Sequence, residues 1–310
     1  MKKRIMVTGG LGFIGSYFVE LAISKGYHVI NVDKQTYASR KDLDFSKYDS
    51  YEYINDDICT IKHLPTNIDW IVNFAAETHV DNSILANNVF LQTNITGVYN
   101  LLELIRAKDP SDRPKFLHIS TDEVYGDILT GSKKEDACLI PSNPYSATKS
   151  AAEQLVYAWG RTYGIKYNIC RSSNNYGYGQ HEEKLIPRTI ELTLQNKKMT
   201  VHGSGTYCRE WTYAGDNCDG ILTVMEKGKN GEIYNISSGE MLTNLEIIKN
   251  ILVLMGKSEK HYEFVENRVG QDVRYCVNPE KLKKLGWKPK TSLNKYLPDL
   301  IKQYKKANEK

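Results

Sequence analysis

Short apolar runs alternate with helix-period segments through the first half of the chain. RIMVT precedes a helical pattern from Gly12 to Lys25, and then come HVINVD, DWIVNFAA, a helical stretch from Asn94 to Lys108, KFLHIST, another from Tyr145 to Tyr163, and KYNICRSS. Strands separated by helices predict right-handed βαβ crossovers and a parallel sheet. RIMV, IVNF and FLHI are near-continuous apolar runs, as strands covered on both faces require. After about residue 175 the elements shorten, punctuated by GYGQ, GSG, KGKNG and SSG. A helix over 184–195, strands at MTVH and EIYNIS, the amphipathic NLEIIKNILVLM and a polar C-terminal helix are expected there. The pattern predicts a Rossmann-type, doubly wound α/β domain from residues 1–174 and 212–236. A smaller α+β substrate-binding region is expected from 175–211 and 237–310.

Composition narrows the function classes. The 310 residues are 41% hydrophobic and 25% charged, with a net charge of +4. These values describe a globular chain with a sizeable core, and so weak a positive balance without a basic stripe speaks against nucleic-acid binding. No apolar run approaches the roughly 20 residues a bilayer span needs. The apolar part of the opening MKKRIMVTGG stops at Gly9, short of the about 7 to 15 residues of a secretory core, so a cytoplasmic location is expected. The six cysteines are scattered, with no CxxC pair and no histidine at ligand spacing, which predicts reduced thiols and no metal site.

The first candidate chemistry is a glycine loop. Gly9, Gly12 and Gly15 follow a strand and open a helix: one for a tight turn, one for close approach of backbone to a pyrophosphate, one for close helix packing. GxxGxxG alone is also an ordinary βα turn. The second strand, however, ends at Asp33, eighteen positions after Gly15, where a ribose-binding acid is expected. A carboxylate there repels a 2′-phosphate and favours NAD over NADP, a preference that the adjacent Lys34 softens. Asp57 with Ile58 could hold the adenine, or Asp57 could be a surface acid.

The second candidate is a pair. Tyr145 and Lys149 lie four apart on one helix that starts at Asn143-Pro144. Ionising a tyrosine at neutral pH takes about 4 kcal/mol, which two nearby positive charges, Lys149 and an oxidised nicotinamide, could supply. Such pairs arise by chance among 21 tyrosines, but this one follows KFLHIST by one loop in a domain that opens with a nucleotide loop.

TGGLGFIG, NVDKQTYA, AAETHVDNS, STDEVYG, NPYSATK, NNYGYGQHEEKLIP and ENRVGQDVRY, in that order, resemble the landmarks of the nucleotide-sugar 4,6-dehydratases of the extended short-chain dehydrogenase family. The likeness covers nearly the whole chain. It implies a homodimer paired through 94–108 and 145–163, bound NAD, and internal hydride transfer from C4 to C6 of a nucleotide-activated glucose, dTDP-linked by preference and UDP-linked as the alternative. By the same likeness, the NAD site takes in Phe13, Ile14, Lys34, Thr36, Asp57, Ile58, Phe74, Ala75, Ala76, Thr93 and Asn175 beside the glycines, Asp33, Tyr145 and Lys149. The sugar nucleotide would meet Glu77, Thr78, Thr121, Asn174, Lys184, Leu185, Val201, Arg209, Asn244 and Arg268. Two of these, Arg209 and Arg268, can grip a diphosphate bidentately.

The strand end separates a dehydratase from a 4-epimerase of the same fold. Loss of water needs a base for the C5 proton and an acid for the departing C6 oxygen. Glu123 and Asp122 are those groups by resemblance, with Tyr145 taking the C4 hydroxyl proton and Thr121 bonding the C4 oxygen. Neighbouring side chains on a strand point to opposite faces, so both acids reach one substrate only if the backbone leaves strand geometry there. Asn82 and Gln271 stand where the dTDP enzymes carry Arg and often His, whereas DKQTYA and CREW follow those enzymes. A thymine differs from uracil by one methyl, worth about 1–3 kcal/mol in a pocket, so use of both bases is physically reasonable.

Overall fold

The computed structural model describes residues 3–267 and 272–309. Arg268 and Gln271 lie outside the described residues. The chain runs through β1 (Arg4–Thr8), α1 (Phe13–Ser24), β2 (His28–Val32), β3 (Tyr51–Ile54) and β4 (Trp70–Asn73). Two short helices, α2 (Val80–Leu85) and α3 (Asn88–Phe90), lead through a π-helical turn (Leu91–Thr96) into α4 (Gly97–Arg106). Then come β5 (Lys115–Thr121), α5 (Pro144–Tyr163) and β6 (Tyr167–Ser172). The remainder holds β7 (Asn174–Tyr176), α6 (Leu185–Leu194), β8 (Met199–His202), β9 (Cys208–Tyr213) and α7 (Ala214–Lys227). It ends with β10 (Ile233–Ile236), β11 (Met241–Thr243), α8 (Asn244–Leu254), β12 (Tyr262–Val265), α9 (Glu280–Lys283) and α10 (Leu293–Asn308).

The apolar strands do what their composition requires. Seven of them pair in parallel in the order β10-β6-β5-β4-β1-β2-β3, with helices packed on both faces. One face buries Phe18, Val19 and Ala22 of α1 with Ile221 and Val224 of α7. The other buries Val98, Leu101 and Ile105 of α4 with Ala152 and Val156 of α5. The strand order reverses between β1 and β4, and in such sheets a ligand crevice opens beyond the carboxyl ends at that switch.

The smaller region stands over those ends. β7, β9 and β11 form one sheet, β8 and β12 another, and α6, α8 and α10 enclose Tyr176 and Trp211. The division drawn from sequence differs here in two places. β9 crosses the expected boundary at 211/212 as one unbroken strand. Leu282 and Trp287, in the stretch given to the substrate side, are buried with the core of the large sheet, and Trp287 Nε1 donates to the Asp216 carbonyl at 2.9 Å.

Candidate active site

The turn after β1 is shaped by what cannot fit. Gly9 takes φ +68°, and a Cβ there would stand 2.7 Å from the Ala75 amide nitrogen; one on Gly15 would stand 2.2 Å from the Gly9 carbonyl oxygen. Such contacts exclude a side chain at both positions. Gly12 meets only the Gly9 oxygen, at 3.2 Å, and faces open space in the cleft. Asp33, at the end of β2, is 7% exposed, and its two oxygens accept from the amides of Leu11 (2.9 Å) and Gln35 (2.8 Å). Those bonds fix the carboxylate toward the cleft and leave lone pairs for a ligand. Lys34 Nζ pairs with Asp57 Oδ2 at 3.2 Å, so its charge is already engaged.

The cleft beyond β1 and β4 is lined by Gly9, Gly12, Asp33, Lys34, Thr36, Asp57, Ile58, Phe74, Ala75, Ala76 and Thr93. It continues past Phe13, Ile14 and Gly15 to Thr121, Asp122, Glu123, Tyr145, Lys149, Asn174 and Asn175. The predicted dinucleotide residues thus converge on one groove. At its inner end, Ser172 Oγ, Asn174 Oδ1 and Asn175 Oδ1 are buried without partners. Buried polar atoms left unpaired are costly, and a carboxamide-bearing ring seated there would satisfy them. With the glycine cradle and the oriented Asp33, this groove fits a nicotinamide dinucleotide.

β5 ends at Thr121, and Asp122–Tyr125 form a single 3₁₀ turn whose N-cap is the Thr121 hydroxyl, accepting the Glu123 amide at 3.2 Å. That departure from strand geometry is what two neighbouring acids need to serve one site. Asp122 is 1% exposed; Thr121 Oγ donates to its Oδ1 at 3.3 Å and its Oδ2 has no partner. Burial, then the charges of Glu123 and Glu210, push its carboxyl well above the ordinary range. Glu123 is also raised by burial, against the pull of Arg209 and Lys184, and Asn143 Nδ2 donates to its Oε2 at 3.5 Å. Both carboxyls are therefore pushed toward their protonated forms, Asp122 the more strongly.

Asn143 caps α5 through a reciprocal pair with Ser146, and Pro144 fills the first helical position, so Tyr145 and Lys149 start the helix at a fixed angle to the cleft. Lys149 is 3% exposed, donates to the Ile119 carbonyl at 2.7 Å, and is lowered to about 8 by burial, which Glu153 opposes. In the protein alone Tyr145 lacks the nicotinamide charge on which its expected ionisation depends. Burial and then Glu123 raise the Tyr145 hydroxyl above the ordinary phenol range, and the Thr121 hydrogen bond opposes this. Its ionisation requires a positive charge that the cleft's occupant brings.

A second pocket opens next to Glu123, lined by Thr78, Asn143, Asn174, Lys184, Leu185, Arg209, Asn244 and, unforeseen from sequence, Trp211, Asp272 and Tyr275. Arg209 is not a free fork. Its guanidinium donates to the carbonyls of Cys208 (2.9 Å), Val273 (3.3 Å) and Asp272 (2.7 Å) and stacks on Tyr275. Neutral partners hold its position without cancelling its charge, and its remaining N–H groups are left for an anion. Of the other predicted substrate residues, Thr121 lines the adjoining cleft and two sit elsewhere. Glu77 faces the dinucleotide groove, where burial raises its carboxyl and Lys34 opposes the rise. Val201 is 2% exposed and packs with Met199, Ile248 and Leu252, lining none of these cavities.

The family profile described as GDP-mannose 4,6 dehydratase matches residues 6–300. This chain belongs to that family. It is 42% identical to the low-salt glycan biosynthesis protein Agl12 of Haloferax volcanii over 97% of this chain and 98% of that one. It is 39% identical to the dTDP-glucose 4,6-dehydratase of Haemophilus influenzae, covering 97% of each. Among solved structures, the dTDP-glucose 4,6-dehydratase DesIV of Streptomyces venezuelae, crystallised with NAD, superposes with a TM-score of 0.90 at 35% identity over 98% of this chain and 97% of that one.

Within this GDP-mannose 4,6-dehydratase family member, a further site residue escaped the sequence reading. Asn94 is 1% exposed in the π-helical turn before α4. Its Nδ2 donates to the Glu77 carbonyl (3.0 Å) and Thr148 Oγ1 (2.9 Å), while Oδ1 accepts the Glu77 amide (2.9 Å). It ties the loop after β4 to α5, and the widened turn sets Thr93 into the groove. The only sequence signal is a polar residue on a helix face that should be buried.

Proposed function

We propose that this protein is an NAD-dependent nucleotide-glucose 4,6-dehydratase acting on dTDP-glucose by preference. The observation that carries this reading is the 3₁₀ turn, which sets Asp122, whose carboxyl burial pushes well above the ordinary range and whose Oδ2 has no partner, and a less strongly raised Glu123 beside the Tyr145–Lys149 pair. The relatives named dTDP-glucose 4,6-dehydratase support the substrate. NAD, when bound, would supply the acceptor and then the donor for a hydride that moves from C4 to C6. Gly9, Gly12 and the start of α1 would hold its diphosphate, Asp33 its ribose hydroxyls, and Thr93 and Asn175 the nicotinamide side. Lys34, the cation next to Asp33, is tied to Asp57 and so is less available to a 2′-phosphate.

Tyr145, as phenolate, accepts the C4 hydroxyl proton, with Lys149 stabilising the anion. Glu123 removes the C5 proton, made acidic by the new ketone. Asp122 gives its proton to the C6 oxygen, which leaves as water. Glu123 then returns its proton to C5 as the hydride arrives at C6, and the proton gained by Tyr145 goes back to Asp122 through solvent. Net redox is zero, and the product is the 4-keto-6-deoxy sugar. Arg209 and Lys184 steer the substrate's diphosphate.

A homodimer is part of the same proposal. Tyr99 on α4 and Tyr157 and Tyr163 on α5 are exposed by 40–50%, outward from the site. So is a cytoplasmic location; among the described residues no helix is long and apolar enough to cross a membrane. The test incubates the protein with dTDP-glucose and UDP-glucose separately, without added cofactor, and reads mass and NMR. Loss of one water supports the reading and the rate ratio names the base; galactose without a ketone would replace it with 4-epimerisation.

A further inference from the structure

Residues 177–184 form a strap that contributes to the wall of the dinucleotide groove: Gln180, His181, Glu183 and Lys184 line the same cavity as Gly9, Gly12 and Gly15. This strap is tied to the large domain at both ends. Near its start, Tyr17 Oη donates to the Tyr178 carbonyl at 3.1 Å, and Arg40 lies against Gly179, whose φ of +83° and bare Cα leave room for the guanidinium. Near its end, one carboxylate gathers three partners. Glu183 Oε2 is 3.5 Å from His79 Nε2 and 3.3 Å from His181 Nδ1, and its Oε1 is 3.4 Å from Lys184 Nζ. Lys184 Nζ in turn donates to the Thr78 carbonyl at 3.2 Å, and the His181 ring meets the edge of Tyr37 at 5.2 Å. His79 and Thr78 follow β4, and Tyr37 follows β2, so the contacts join three loops that surround one cleft.

A dinucleotide in this cavity would touch both the glycine turn and the strap, so the ties that hold the strap also bear on its release. We infer that Glu183 is a clasp residue that holds the strap 177–184 shut over the bound dinucleotide, through His79 and His181, and at the same time positions Lys184 in the neighbouring sugar pocket. The inference rests on the proposed dehydratase reading, in which the hydride is returned within each cycle and the cofactor has no reason to exchange. Glu183 is a positioning residue in this role, since it acts through its partners on groups that touch the ligands. It is 17% exposed at the side chain, enough shielding for its pairs to hold more strongly than those of a solvated surface acid.

The experiment measures the dissociation rate of NADH from the full chain by stopped-flow fluorescence, with excess unlabelled NAD as chase, for the parent protein, Glu183→Gln and His181→Phe. Loss of the charge should speed release by about tenfold in Glu183→Gln, the size expected for removing one charge-assisted contact set. His181→Phe, which keeps the ring contact with Tyr37 and removes both the Nδ1 that accepts the Glu183 amide at 3.4 Å and the imidazole beside its carboxylate, should give a smaller rise in the same direction. Thermal melts identify a misfolded variant, and His181→Phe then carries the test. Release rates within twofold of the parent in a folded variant would overturn the clasp. A parent protein that binds no NAD or NADH would instead overturn the dehydratase reading beneath it, so the two failures are distinguishable.

Discussion

Asp122 and Glu123 are adjacent in sequence and unequal in surroundings, and that inequality sets the chemistry expected of each. Asp122→Asn removes the donor for the C6 oxygen while leaving Tyr145, Lys149 and Glu123 in place. Oxidation at C4 should proceed and dehydration should stall, so the variant accumulates reduced cofactor, visible as its near-ultraviolet absorbance, with turnover down about 10²–10⁴-fold. Glu123→Gln should lose activity by a similar factor, because it removes the proposed base for the C5 proton. A variant with full turnover would remove Glu123 from the mechanism. The pH dependence follows from direction. The base must be ionised, and Glu123 is raised above the usual glutamate range, so activity climbs with pH over a limb that belongs to the coupled pair of acids. Lys149, lowered to about 8, loses its charge above that value, and with it the stabilisation of the Tyr145 phenolate. The profile should be a bell whose alkaline limb falls near pH 8, and a rate that stays level to pH 10 would separate Lys149 from the step.

At the scale of elements, the helices and strands that carry these groups were legible to unequal degrees. Continuous apolar strands and a three-glycine turn are strong local signals, and β1, α1, β2, β4, β5 and α5 lie where the pattern puts them. α5 was readable at its start because Asn143-Pro144 spells a cap and a first helical residue. The turn at Asp122–Tyr125 was readable only as a requirement of the chemistry, since nothing in STDEVYG itself distinguishes a 3₁₀ turn from a continuing strand. β7, β9, β11 and α7 carry no comparable signal: three-residue strands have no period, and CREWTY mixes charges into a buried strand because Arg209 and Glu210 are satisfied by partners distant in sequence. For the same reason Asp272 and Tyr275 could not be placed beside Arg209 from the sequence. The cap gives a prediction at this scale. Asn143→Ala removes both the cap and the partner of Glu123, and should cost about 1 kcal/mol in a denaturant melt while lowering kcat disproportionately, because Tyr145 stands two residues on. A loss of stability with kcat unchanged would show that the cap is only structural. Gly15→Ala, which forces a methyl against the Gly9 carbonyl, should lose dinucleotide binding in an equilibrium titration.

For the whole molecule, the two regions are bound together by more than the cleft they share. The strap 177–184 leans on loops of the large sheet, and the stretch 272–278 returns to it, with the Val273 and Arg274 amides donating to Asp127 Oδ1 and the Arg274 guanidinium to the carbonyls of Ile128 and Gly131. A substrate entering the sugar pocket therefore meets residues anchored to both regions.

The late return of Leu282 and Trp287 to the core of the large sheet also bears on how the chain comes into being. The dinucleotide lobe is assembled from residues synthesised early, yet its outer face stays uncovered until the last tenth of the chain emerges, when Trp287 reaches the Asp216 carbonyl and the amides of Lys290 and Thr291 reach the Asp216 carboxylate. A nascent chain must wait, with that apolar surface open, until residues 282–291 have been made. A protein stopped after Pro279 should accordingly aggregate or be degraded rather than persist as a cofactor-binding fragment, and co-expression of the missing C-terminal piece should recover soluble material.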